Sequence, residues 1–219
     1  LSDLWLYFNK NLNDWLQISV APQLRVDAEA TPVLGSEITR SGSADVDVDI
    51  DWAYLTVRLP WETELKAGAI YPYFSDEYAS KIWWDEQYNA NNGLITLEAM
   101  KSTGVELYRN FDFENFSLPV WLYLLNGEDR GINQDKRYTD NNSAKNGLVH
   151  VAPEFFAYGS RFKLLGSFGY GRWDNDGDND AIQWAGGGDW TYRGFSLRGE
   201  YMYRWREDLP LTGGGTENG

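Results

Sequence analysis

Residues 45–51 read Asp-Val-Asp-Val-Asp-Ile-Asp, acid and hydrophobe alternating without a break, and then run into Trp52-Ala53-Tyr54. Period-two alternation belongs to a strand that is wet on one face and apolar on the other. Four aspartates on one face (Asp45, Asp47, Asp49, Asp51) require water or cations beside them. The opposite face, expected to carry Val46, Val48, Ile50, Trp52 and Tyr54, requires an apolar neighbour. Whether that neighbour is a protein core or lipid decides what kind of protein this is.

The 219 residues suffice for a single all-β domain over 1–219. Mean hydropathy is negative, as in water-soluble proteins, and no run of about 18 apolar residues exists to form a membrane helix. A transmembrane β-barrel escapes that test, because alternating strands average out. Tryptophan and tyrosine are abundant, at 11 and 14 residues. They suit interfacial aromatic girdles, or a carbohydrate-binding surface. The absence of cysteine excludes disulfides and thiolate metal sites. A net charge of −14 repels nucleic acid and favours cations. No signal peptide is visible and the sequence starts abruptly at Leu1, as a mature exported protein is expected to after processing.

Alternation and turn signals predict about ten strands: 3–9, 15–27, 45–58, 64–73, 103–111, 116–126, 147–157, 161–173, 181–192 and 195–206. The connections alternate in length. Those near 10–14, 60–63, 112–115, 158–160 and 193–194 are short; those at 29–44, 74–101, 127–146 and 174–180 are longer. Antiparallel strands send successive connections to opposite ends, so short turns collect at one end and long loops at the other. Outer-membrane barrels are laid out this way. Several strands also exceed the usual five or six residues of soluble sheets. An antiparallel soluble barrel or sandwich with its apolar face inside shares the alternation and stays open as an alternative.

The segment Leu65-Lys66-Ala67-Gly68-Ala69-Ile70-Tyr71-Pro72-Tyr73-Phe74-Ser75, following Ala53-Tyr54-Leu55-Thr56-Val57, resembles general bacterial outer-membrane porins, including the phosphate-selective group. Gly188-Asp189-Trp190 and Phe195-Ser196-Leu197-Arg198-Gly199-Glu200-Tyr201 resemble a late strand pair of that group. The resemblance implies an antiparallel transmembrane β-barrel, with a loop that folds inward after the first segment. Ala69 stands where those porins carry arginine, and no basic ladder follows, so anion selectivity does not carry over. Their aromatic C-terminal residue is also missing, so the roughly ten visible strands are expected to be part of a larger barrel, for example one of about sixteen strands, or of a barrel whose remaining strands are missing.

On this reading Asp45, Asp47, Asp49, Asp51, Arg25, Lys163, Arg198, Glu200, Arg204 and Arg206 line the pore, and Trp83, Trp84, Asp85 and Glu86 form the constriction loop. Asp174, Asp176, Asp178 and Asp180 have the spacing of a calcium loop. Its twelfth position is Ala185 rather than glutamate, which leaves a weak surface calcium site and requires no other cofactor. His150 is the only histidine, and neither a serine nor an orienting group lies near it in sequence, so the chain is not expected to be an enzyme. The expected function is passive diffusion of small hydrophilic solutes or ions, with cation preference, across a Gram-negative outer membrane. Lipid bilayer and lipopolysaccharide are the expected partners, a homotrimer is one candidate assembly, and nucleic acid is excluded. Two alternatives remain: a structural barrel sheathing a partner such as an electron-transfer conduit, and a soluble Trp-rich carbohydrate-binding β-domain. In the second, Trp83 and Trp84 stack on sugar.

Overall fold

A computed structural model describes residues 2–28, 44–74, 102–126, 143–172 and 177–207. Their strands form one antiparallel sheet. β1 (Ser2–Trp5) and β2 (Phe8–Asn11) lie end to end along β3 (Leu16–Ala28). β4 (Ala44–Leu59), β5 (Thr63–Ile70), β6 (Ser102–Phe113) and β7 (Phe116–Leu125) follow as sequential neighbours. β8 (Asn146–Val151) and β9 (Glu154–Ala157) share the next place, beside β10 (Ser160–Arg172), β11 (Asp180–Tyr192) and β12 (Phe195–Arg206). The strand expected at 147–157 is split at Ala152-Pro153, where proline has no N–H for a ladder. The strand expected at 64–73 leaves the sheet at Ile70.

The sheet is open. Its order runs from β1 to β12, and among the described residues these two edges do not pair with each other. A transmembrane barrel requires that closure, because lipid cannot satisfy an unpaired backbone edge. The expected barrel is therefore corrected to an open antiparallel sheet. The porin resemblance, the diffusion pore for small solutes, the lipid and lipopolysaccharide partners, the trimer and the outer-membrane location fall with it, as does the structural barrel.

Two hairpins close through two-residue turns with both central residues at positive φ, Tyr158-Gly159 (50° and 75°) and Arg193-Gly194 (46° and 84°), and the three-residue connection Pro60-Trp61-Glu62 between Leu59 and Thr63 also holds Trp61 and Glu62 at positive φ (60° and 55°). Turns of this hand match the twist of the strands they join. Tight turns keep neighbours in register over long strands, and β10 pairs with β11 from Ser160↔Tyr192 to Arg172↔Asp180 without a slip.

One irregularity decides which residues share a face. Along β3 and β4 the register passes from Ala21↔Trp52 directly to Pro22↔Ile50, leaving Asp51 as an extra residue. Pro22 cannot donate to a ladder, so a bulge is the natural accommodation. The bulge shifts the phase of β4 by one. Positions 45, 47 and 49, partnered by 27, 25 and 23, fall on the side of Trp52, Tyr54 and Thr56. The expected placement of Trp52 and Tyr54 with the valines is thereby corrected.

The two sides differ sharply. One carries exposed apolar residues across the sheet, among them Ile50, Leu55, Leu107, Leu122, Leu164, Trp184 and Tyr203. The other carries Thr56, Lys66, Glu106, Tyr123, His150, Ser167 and Gln183. This second face is concave. From Ile70, residues 71–74 leave β5 and reach Ser167 on β10, which lies four strands across and level with Glu64, six positions lower on β5. On a flat sheet those points would lie roughly 27 Å apart. Four extended residues span at most about 14 Å. The sheet must therefore curl around this segment.

The core lies on the concave face. Ile70 and Phe74 pack with Tyr123, Leu125, Leu148 and Ala185, flanked by Tyr54, Tyr73, Trp121 and Met202. The polar face was expected to be a water-filled lumen; around residues 70–74 it is packed instead.

Candidate functional site

Lys66 and Glu106 are in register across β5 and β6. Lys66 Nζ lies 2.6 Å from Glu106 Oε1, and Glu106 is 2 % exposed. Burial pushes the Lys66 ammonium down, but the charge and hydrogen bond of Glu106, helped by Tyr54 and Tyr73, outweigh it and the net shift is upward. Tyr123 stands opposite Glu106 on β7. Burial first, and then the Glu106 charge, hold its phenol well above the usual range. Tyr123 therefore remains a neutral hydroxyl, and its oxygen accepts the Tyr73 backbone N–H at 3.0 Å.

A second tie forms where β8 pairs with β10. His150 is opposite Ser167. Ser167 Oγ donates to the Phe74 carbonyl oxygen at 2.6 Å, and His150 Nδ1 lies 2.6 Å from the same Oγ. A hydroxyl has one proton. With that proton on the Phe74 carbonyl side, Ser167 accepts from the imidazole, which assigns the hydrogen to Nδ1. Nothing in the sequence around His150 announced a serine; only strand pairing supplies it. Both side chains are buried, and the serine proton is directed at the Phe74 carbonyl, so the pair ties the end of the 71–74 segment to β8 and β10.

Aromatic rings extend from these ties towards the short-turn end. Tyr73 lies 5.4 Å from Trp121, Trp121 lies 5.0 Å from His150, and Tyr108 lies 4.9 Å from Trp121 at 35°. Tyr108 and Trp121 are half-buried and in register across β6 and β7. Glu64 is opposite Tyr108 on β5. Below the rings, Asn110 Nδ2 donates to Asp112 Oδ1 at 2.8 Å, and Ser117 Oγ donates to Asn110 Oδ1 at 3.0 Å. Burial, then the charges of Glu64 and Asp112, raise the Tyr108 phenol. Two partly open rings bordered by carboxylates, an amide and a hydroxyl suit a ligand with one flat apolar face and hydrogen-bonding groups around its rim. Sequence reasoning missed Tyr108 and Trp121, because each occupies an ordinary inward position on its strand.

The residues expected to line a pore are dispersed. Lys163 lies opposite Glu154 and Asp189, and Arg198 lies opposite Asp189, near the short turns. Arg198 also reaches Glu200 at 3.4 Å. Arg204 and Arg206 share that face at the far end of β12. Burial first, then the charge of Arg206, lower Arg204 to about 9, so it stays cationic at neutral pH; burial lowers Arg206 as well. Position 25 is in register with Asp47. Asp180 accepts from the Tyr170 hydroxyl at 2.8 Å and faces Arg172 at 3.7 Å. Asp178 is exposed. Among the described residues no group of three acids or histidines is placed to hold a metal. Trp83, Trp84, Asp85, Glu86, Asp174 and Asp176 lie outside the described residues.

No family model matches the chain, and neither a curated protein nor a solved structure matches it.

Proposed function

We propose that this protein is a carbohydrate-binding β-domain that takes a neutral saccharide on its concave face and performs no catalysis there. The observation that carries the reading is the Tyr108–Trp121 pair, half-open and bordered by Glu64, Asn110, Asp112 and Ser117. A sugar ring offers C–H groups to aromatic faces and hydroxyls to carboxylate and amide side chains, which is the division of labour these residues provide. The chain's charge of −14 disfavours acidic glycans and selects neutral ones.

Calorimetric titration with neutral oligosaccharides (glucans, mannans, xylans) tests the reading. Wild-type protein is expected to bind at least one, and Trp121→Ala to weaken binding by roughly tenfold or more, as loss of a central aromatic contact does. The control is Trp184→Ala, which removes an exposed ring from the opposite face. Affinity lost in Trp184→Ala but kept in Trp121→Ala would overturn the site, and no binding by the wild type would overturn the function.

A further inference from the structure

We infer that the outer, apolar side of β10–β12 is an interface for a second copy of this chain, packed face to face in a two-fold dimer. The inference is independent of the saccharide reading, since it leaves the concave side open. Antiparallel register fixes which residues share this outer side: even positions of β10 and β11, odd positions of β12. Among the described residues of these strands, its only charges are Arg172 and Asp180, which face each other at 3.7 Å at one end. Elsewhere it is apolar and open. Leu164, Phe168, Trp184, Leu197, Tyr201 and Tyr203 are each 41–62 % exposed. At about 200 Å² for a fully exposed large side chain, these six and their apolar neighbours on the same strands leave roughly 800 Å² in water. The largest apolar patch on a monomer is usually about 300–600 Å². A stable interface takes about 800 Å² from each partner. The face therefore exceeds what a lone chain leaves bare and matches what a dimer covers.

Its relief is self-complementary. Gly166 and Gly186 are in register, and Gly188 follows two positions along β11. A Cβ at Gly166 or Gly186 would meet nothing closer than 3.7 Å, so no side chain of the same copy covers this floor. Beside the floor stand rings: Trp184 lies 5.3 Å from Tyr201 and 5.9 Å from Tyr203. A two-fold axis between floor and rings sets the rings of each copy on the glycines of the other, the reciprocal contact of an isologous interface. The sheet curls across its strands, so two outer sides meet lengthwise, along strands of 12 and 13 residues. Aligned face-to-face sheets, with strands within about 30° of each other, have this geometry.

Sedimentation equilibrium of the full chain in detergent-free buffer tests the inference. Wild type is expected at twice the 25.1 kDa chain mass, with a dissociation constant of about 1 µM or tighter. Tyr201→Glu puts a charge into the apolar contact, and Gly186→Leu fills the floor. Each is expected to weaken the dimer by roughly 30-fold or more. Leu55→Glu, on the same side of the sheet but on β4, is expected to leave it unchanged. Hydroxyl-radical footprinting of wild type gives a reading that needs no variant to fold. Oxidation of Trp184 and Tyr201 is expected to fall about threefold or more as concentration rises through the dissociation constant, while that of Trp61 on its turn stays constant. A wild type that is monomeric at about 50 µM overturns the inference. So does a dimer that survives both Tyr201→Glu and Gly186→Leu, or Trp184 oxidation that is independent of concentration. A wild type that stays in solution only with detergent also overturns it, since an apolar phase rather than a second copy then covers the face.

Discussion

Lys66 Nζ and Glu106 Oε1 lie 2.6 Å apart on the concave face, in register across β5 and β6, with the carboxylate almost wholly out of water. The pair stands behind Tyr123, whose hydroxyl holds the backbone of Tyr73. It therefore links the interior electrostatics of the sheet to the segment that crosses the candidate site.

Breaking this pair from one side should be costly. Lys66→Met leaves a buried carboxylate without its cation, and a loss of about 3–5 kcal/mol is expected. The double variant Lys66→Met/Glu106→Leu should recover much of that loss, because neither charge then needs solvation. Urea unfolding of the two single variants and the double variant, read as a cycle, measures the coupling. Additive single effects would refute it.

Alkali should weaken the same region. The folded-state Lys66 value is raised above 10.5, so its contribution is fully present below that value and fades as pH climbs through the folded value. Tyr123, raised above 10.0, acts in the same direction, since its neutral form is favoured by folding. The urea midpoint of wild type is expected to fall above about pH 10.5. The part of that fall due to Lys66 should be absent in Lys66→Met.

Gly68 and Gly199 should respond oppositely to an added methyl group. A Cβ on Gly68 would lie 2.2 Å from the Ala53 carbonyl oxygen, at a φ of 138°. Gly68→Ala is expected to destabilise by more than about 2 kcal/mol. A Cβ on Gly199 meets nothing within 4 Å, so Gly199→Ala should be neutral or stabilise by up to about 1 kcal/mol. Thermal melts of the two variants make the comparison.

The Trp61-Glu62 turn holds two side-chain-bearing residues at positive φ, and Trp61 is 79 % exposed. Replacing the pair by Asn-Gly removes left-handed strain of about 1 kcal/mol per residue and little packing. The expected gain is roughly 2–4 °C in melting temperature per kcal/mol recovered, for a domain of this size. A lower melting temperature would show that the Trp61 ring packs usefully on the turn.

How much was legible differs between strands and site. The alternation along β12 was readable because successive side chains of an extended chain point to opposite faces, whatever lies beyond. Phe195, Leu197, Tyr201 and Tyr203 do share the apolar side, and Arg198, Glu200 and Arg204 the other. The same rule failed at β4. One extra residue at Asp51 exchanges the sides, and its cause is Pro22 on the neighbouring strand rather than anything within β4. The candidate site was less legible still. Tyr73, Trp121, His150 and Ser167 come from four separate segments, and His150 had no visible partner until β8 paired with β10.

By itself the sequence determined roughly where most strands and tight turns fall, because alternation and turn conformation are properties of neighbouring residues; it merged β1 with β2 over 3–9 and β8 with β9 over 147–157, and carried β5 on to 73. Only the tertiary structure decided whether the acidic side of β4 shares a face with Trp52 and Tyr54, whether the sheet closes, and what fills its concave side. Each of these depends on register or edge pairing between segments far apart in the chain. The run of aspartates at 45–51 thus marked a strand with a wet side. The bulge against Pro22, the unpaired β1 and β12 edges and the segment crossing to Ser167 decided what that wet side belongs to.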